Sequence, residues 1–155
     1  MKRIISFLFI FVTVLSLCSC GGNTSQAEID INSLGGYIAQ NASFSEELEP
    51  VSSDSALMSF GIEASGIEAV EYATSSAVAE IFAAFKVQNS ENIALVQKAV
   101  QDKIDYLKES YASYGPKEVP KIESAVVITR GNCVVFCISA DNSQAKELIE
   151  SYINR

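Results

Sequence analysis

The sequence predicts an α+β domain: a mainly antiparallel sheet of about four strands, arranged as two hairpins and packed with helices, in the order α-α-β-β-α-β-β-α. Three observations carry this. Apolar side chains recur at three- and four-residue spacing from Ile93 to Tyr114, the stripe of an amphipathic helix. Two apolar runs, 125–130 and 133–138, flank Gly131-Asn132. Hairpin-like runs alternate with helical ones, the order of an antiparallel α+β domain.

The elements follow in turn. Asp30 can cap a helix with Ile31, Leu34, Tyr37 and Ile38 inward. Gly35-Gly36 inside it costs about 1 kcal/mol each relative to Ala, so this helix needs packing. Phe44 to Val51 is mixed, and Pro50 discourages regular structure. Ser53 or Asp54 can cap a short helix through Phe60, ended by Gly61. Residues 70–74 and 81–87 read as strands, the second with Ile81, Ala83, Phe85 and Val87 on one face and Glu80, Phe82, Ala84 and Lys86 on the other. Ala77-Val78-Ala79 between them keeps a helical reading of the stretch open.

Ser90 is placed to cap the long helix, whose stripe is Ile93, Val96, Val100, Ile104, Leu107, Tyr111 and Tyr114. Gly115-Pro116 ends it. A loop with Pro116 and Pro120 leads to the second hairpin. Gly at its first turn position suits a type II′ turn, which pairs Arg130 with Cys133, Ile128 with Val135 and Val126 with Cys137. One face then holds Val126, Ile128, Val135 and Cys137; the other holds Ala125, Val127, Val134, Phe136 and Ile138. Both are apolar, so both are expected to be covered. Asp141 or Asn142 caps a final helix with Ala145, Leu148, Ile149, Tyr152 and Ile153 inward.

The amino terminus reads differently. Lys2 and Arg3 precede an apolar run from Ile4 to Leu17. Fourteen residues of helix reach about 21 Å, short of the roughly 30 Å hydrocarbon core, so the run reads as a secretory signal peptide, residues 1–19. Its exit, Leu17-Cys18-Ser19-Cys20, resembles a bacterial lipobox. Cleavage between Ser19 and Cys20 with acylation of Cys20 is expected, because Ser19 is small whereas Leu17 before Cys18 is large. Two or three acyl chains such as palmitate make a stable anchor. Residues 20–27, with Gly21-Gly22 and small polar neighbours, are the expected tether, and 28–155 the single domain. Removing residues 1–19 leaves 136 of the 155 residues and moves the formal charge from −8 to −10, because Lys2 and Arg3 leave.

Composition excludes some chemistry. The 48% hydrophobic content is that of a folded domain. The acidity opposes nucleic-acid binding, which needs a basic face. No His is present, which removes the commonest general base and metal ligand. Cys133 and Cys137 lie roughly 13 Å apart along one strand, beyond disulfide reach. They read as small buried hydrophobes, with intermolecular pairing or a reactive thiol as alternatives.

Other clusters are weak. Glu46, Glu47 and Glu49 lack a calcium-loop pattern and read as solvated. Glu63, Glu68 and Glu71 would suit paired-carboxylate chemistry only if a cleft brought two together. Ser75-Ser76 lacks a nucleophile elbow and reads as a turn. Tyr106, Tyr111 and Tyr114 offer an aromatic platform, but Tyr111 and Tyr114 fall on the buried stripe. Asp141-Asn142-Ser143 reads as helix capping. No catalytic residue, metal site or cofactor is assigned.

Cys20 in its lipobox, Phe85-Lys86-Val87, Tyr114-Gly115-Pro116-Lys117-Glu118, Glu123 to Val127, Gly131-Asn132 and Ser139-Ala140-Asp141 together form a pattern that, beyond Cys20, extends over residues 28–154. It resembles an uncharacterised family of small Gram-positive lipoproteins, number four-three-five-eight in the domain-of-unknown-function series. Cys133 stands where that family typically carries an aromatic residue. The resemblance implies an extracytoplasmic lipoprotein and supplies no activity.

The expectation is a lipid-anchored protein on the outer face of the cell membrane, an interaction or accessory module with an unidentified protein partner. A small-ligand binder serving a transporter is the alternative, and a carboxylate- or thiol-dependent enzyme a third. A polar-lined pocket would favour the ligand binder, and a flat apolar patch a partner.

Overall fold

The computed structural model describes residues 28–75 and 77–155. The expected leader, Ser19, Cys20 and the tether lie outside the described residues. Among the described residues, five strands form one antiparallel sheet in the order β1-β2-β3-β5-β4, with five helices around it. The class is α+β as the sequence predicts, with one more strand and one more helix than the predicted four of each.

The first extra strand is β1 (Glu49–Val51), paired with β2 (Ile67–Ala73) through Pro50 opposite Tyr72. Pro50 discourages regular structure within a sheet. A sheet edge tolerates Pro when the missing N–H faces away from the ladder, and β1 is such an edge. The extra helix is α4 (Val119–Glu123), in the segment read as a loop; Pro120 stands in its first turn, where a missing N–H costs nothing. Strand β2 begins three residues before Val70. Its pairing with β3 (Ile81–Val87) excludes the helical alternative.

The second hairpin matches its expected register. Strands β4 (Val126–Arg130) and β5 (Cys133–Ile138) pair Arg130 with Cys133, Ile128 with Val135 and Val126 with Cys137. Gly131 has φ +57° and Asn132 does not have positive φ, the combination of a type II′ turn.

Helices cover both faces of the sheet. On one, α2 (Ser53–Ser59), α3 (Asn92–Tyr114) and α4 meet Phe85, Val87, Val134, Phe136 and Ile138. Phe60, just after α2, packs edge-on to Phe85 (4.9 Å between centroids) and Phe136 (5.8 Å). On the other, α1 (Ile31–Asn41) and α5 (Asn142–Ile153) bring Leu34, Ile38 and Ile149 onto Phe82, Ala84, Val126, Val135 and Cys137. All six residues of β5 are buried. Burying both faces of the central strands is the main stabilisation, at roughly 25 cal/mol per Å² of apolar surface.

The caps differ slightly from expectation. Asp30 accepts from the Asn32 and Ser33 amides. Ser52, not Ser53 or Asp54, caps α2 through the Ser55 amide. Asp141 caps α5. Ser90 does not cap α3 with its side chain; its carbonyl accepts from the Ile93 amide instead. Two apolar expectations fail. Tyr114, the last residue of α3, is 61% exposed, and Val127 is 44% exposed on the edge strand β4.

Candidate functional site

An open cleft of about 250 Å³ lies between the second half of α3 and the β2–β3 connection. Tyr106, Ser110 and Tyr114 line it from α3, at four-residue spacing on one helix side. Thr74 and Ser75 line the opposite side. The Thr74 hydroxyl stands 3.1 Å from the Glu80 carbonyl and fixes the turn, and Ser75 donates to Glu46 at 2.7 Å. Tyr106 and Tyr114 are exposed, while Tyr111 is buried beneath, its ring 4.7 Å from that of Tyr114. Burial, then the neighbouring Tyr114, push the Tyr111 hydroxyl to higher pKa, so it stays protonated.

Two buried carboxyls stand at the base of the cleft. Glu71 faces the α2/α3 side of β2 and accepts from the Ser59 hydroxyl at 2.8 Å. Burial raises its pKa, and the Ser59 bond and nearby Lys103 only partly offset that. Lys103 itself donates to the Ser59 carbonyl at 3.3 Å and lies over the Phe60 ring. Glu80, just before β3, is differently placed. It accepts from the Ser45 amide (2.5 Å), the Ser45 hydroxyl (2.7 Å) and Lys121 (2.8 Å). Burial works against its charge, but Lys121 and Ser45 outweigh it and hold the pKa below the usual value. Lys121 also pairs with Glu118 at 2.7 Å, and Glu118 accepts from the Ala79 amide at 3.1 Å. Both Glu80 and Glu118 are therefore occupied in holding α4 to the β2–β3 connection.

The other sequence candidates scatter. Glu63 and Glu68 do not join Glu71: Glu68 faces the opposite side of β2, near Lys86. Glu47 and Glu49 are exposed. Ser76 lies outside the described residues. Cys133 and Cys137 are free and buried on the α1/α5 face. Burial raises the Cys133 thiol, partly offset by Lys86, and pushes Cys137 up to about 12. Asn142 does more than cap. It accepts from the Ser139 amide (2.7 Å) and donates to the Lys121 carbonyl (2.8 Å) and the Ser124 hydroxyl (2.9 Å), joining the β5–α5 corner to α4.

Among the described residues, no group of three or more Cys, Asp or Glu side chains is arranged to hold a metal ion. No described helix is long and apolar enough to cross a membrane. Nothing in the sequence signals the Glu80–Lys121–Glu118 cluster, since 41 residues separate Glu80 from Lys121.

A family model described as a domain of unknown function, DUF4358, matches residues 31–139. The chain belongs to the DUF4358 family. The matched span runs from the first residue of α1 to the residue after β5, so the DUF4358 match includes the whole sheet and the cleft, while α5 lies beyond it. No curated protein and no solved structure matches this DUF4358 chain.

Proposed function

We propose that this DUF4358 protein is an extracytoplasmic lipoprotein, held at the cell membrane through acylated Cys20, and that its domain is an interaction or accessory module. The observation that carries the reading is the coincidence of Leu17-Cys18-Ser19-Cys20 with the end of the apolar leader and the start of a small, polar stretch. The domain's acidity supports it further. An acidic domain is repelled by anionic lipid, so the tether holds it clear of the surface.

Replacing Cys20 by Ala and fractionating cells tests the anchor. The variant is expected in the soluble extracytoplasmic fraction, without incorporated palmitate. Undiminished membrane retention would end the reading.

The cleft favours a second reading, small-ligand binding. Two exposed tyrosines and Ser110 on one helix side face two hydroxyl residues across an open cavity. The chain has six Tyr and no Trp, so its intrinsic fluorescence is tyrosine fluorescence. A ligand in the cleft should change that emission in the parent protein and leave it unchanged in Tyr106→Ala/Tyr114→Ala.

A further inference from the structure

The two edges of the sheet are built differently. β1 has three residues and carries Glu49 and Pro50, both of which discourage pairing with another chain. β4 has five residues, Val126-Val127-Ile128-Thr129-Arg130, with no Pro, no acid and no residue of positive φ. Its sequence is β-branched at four consecutive positions, a strong strand former.

The register shows which β4 groups face outward. The Val87 amide donates to the Asn132 carbonyl at 2.9 Å, so the even-numbered residues of β5 (134, 136, 138) exchange hydrogen bonds with β3. The odd-numbered ones (133, 135, 137) therefore face β4, where they meet Arg130, Ile128 and Val126. Val127 and Thr129 are left with N–H and C=O directed away from the sheet. Both are exposed, and among the described residues no backbone group bonds to them from that side. A groove of about 450 Å³, lined by Val126, Ile128, Asp141 and Lys146, runs along the same edge.

We propose that this edge pairs with the β4 edge of a second copy of the chain, making one continuous antiparallel sheet across a two-fold axis at Ile128. In that register the Val127 and Thr129 backbone groups bond to the partner's Thr129 and Val127. Ile128 meets the partner's Ile128, and no like charges stand directly opposite. Charge selects a copy of the same chain. Arg130 has no ion-pair partner among the described residues. Two-fold pairing sets it beside the partner's Val126, on the groove that the partner's Asp141 lines. Lys146 of that groove is turned toward Glu150, at 3.9 Å. The pairing does not depend on the lipid anchor.

The test uses the full chain in its own membrane. Ile128 and the partner's Ile128 form a non-hydrogen-bonded pair, with Cα atoms about 4.5 Å apart, inside disulfide range. Ile128→Cys is expected to give a covalent homodimer on mild oxidation, at least about tenfold more than Met58→Cys, an exposed position on α2 away from the edge. Val127→Pro added to Ile128→Cys should abolish the dimer, because the Val127 N–H is not used in pairing with β5. If that variant fails to accumulate, Val127→Lys serves instead, placing like charges across the edge. A dimer yield no greater than that of Met58→Cys, a yield unchanged by either Val127 substitution, or crosslinking to a different protein in place of the homodimer would each overturn the proposal. Fractionation of Cys20→Ala reads the anchor separately, so either idea can fail alone.

Discussion

A Cβ placed on Gly35 would stand 2.7 Å from Cε2 of Tyr72. Helix α1 thus lies on the sheet at a distance that only glycine allows, and its next neighbours, Val70 and Phe82, are also within 3.4 Å of that position. Gly36, one residue on, meets only the Tyr72 hydroxyl at 3.8 Å.

The two glycines should respond oppositely to Ala. Gly35→Ala is expected to lower stability by about 1–3 kcal/mol through overpacking. Gly36→Ala should be neutral or raise it by up to about 1 kcal/mol, the helix-propensity gain. Urea unfolding of the two variants checks this, and equal effects would remove the close-approach explanation.

Lys121 is expected to matter more than its partly exposed position suggests. Lys121→Met leaves the Glu80 carboxylate, whose side chain is fully buried, without its cation. The loss should be about 3 kcal/mol, at the low end for a broken buried pair because Lys121 still reaches water. Glu80→Leu/Lys121→Met should lose less than Lys121→Met alone. A double-mutant cycle measures the difference.

Acid titration should separate Glu80 from Glu71. Glu80 is held below its ordinary value of 4.5 in the folded chain, so its contribution is complete above pH 4.5 and is lost as pH falls through the folded value. Glu71 is raised above 4.5, so its contribution is complete below that pH and is lost as pH rises through the folded value. Glu71→Gln should therefore be more stable than the parent at pH 7, with the advantage shrinking as pH falls through the raised folded value and gone by about 4.5. Thermal unfolding across pH 3–8 tests the sign.

The two thiols should be protected by the fold. With Cys137 pushed up to about 12 and both sulfurs buried, maleimide at pH 8 should modify Cys133 and Cys137 only as fast as the domain unfolds. Peptide mapping by mass spectrometry gives the rate at each site. Rapid modification in native buffer would point to a thiol that acts on its surroundings.

What the sequence made legible was local. The β4–β5 register followed from Gly131 and the period-two pattern, and β3 from its alternation, because strand chemistry is written in adjacent residues. β1 was hidden because a three-residue edge strand carries almost no pattern and contains Pro50, whose acceptability depends on lying at the edge. Periodicity puts Tyr114 on the inward face of α3 but does not show that it is the helix's last residue and exposed. The polar groups around the cleft were invisible for a related reason. Glu80, Lys121 and Ser45 meet only after three separate elements pack, and no spacing records that.

The strand order has a further consequence for assembly in time. β5 lies between β3 and β4, yet it is the last strand in the chain, and its partner Ile81 is joined to Ile138 only after α3 and α4 have been traversed. A polypeptide emerging from its amino-terminal end can form the β1-β2-β3 ladder early, but one whole edge of β3 stays open until residue 138 appears. The long-range closure that completes the sheet is also the slow kind. This DUF4358 chain therefore completes its sheet in two stages, with the β1-β2-β3 ladder able to stand before the strand that joins it to β4 has been made.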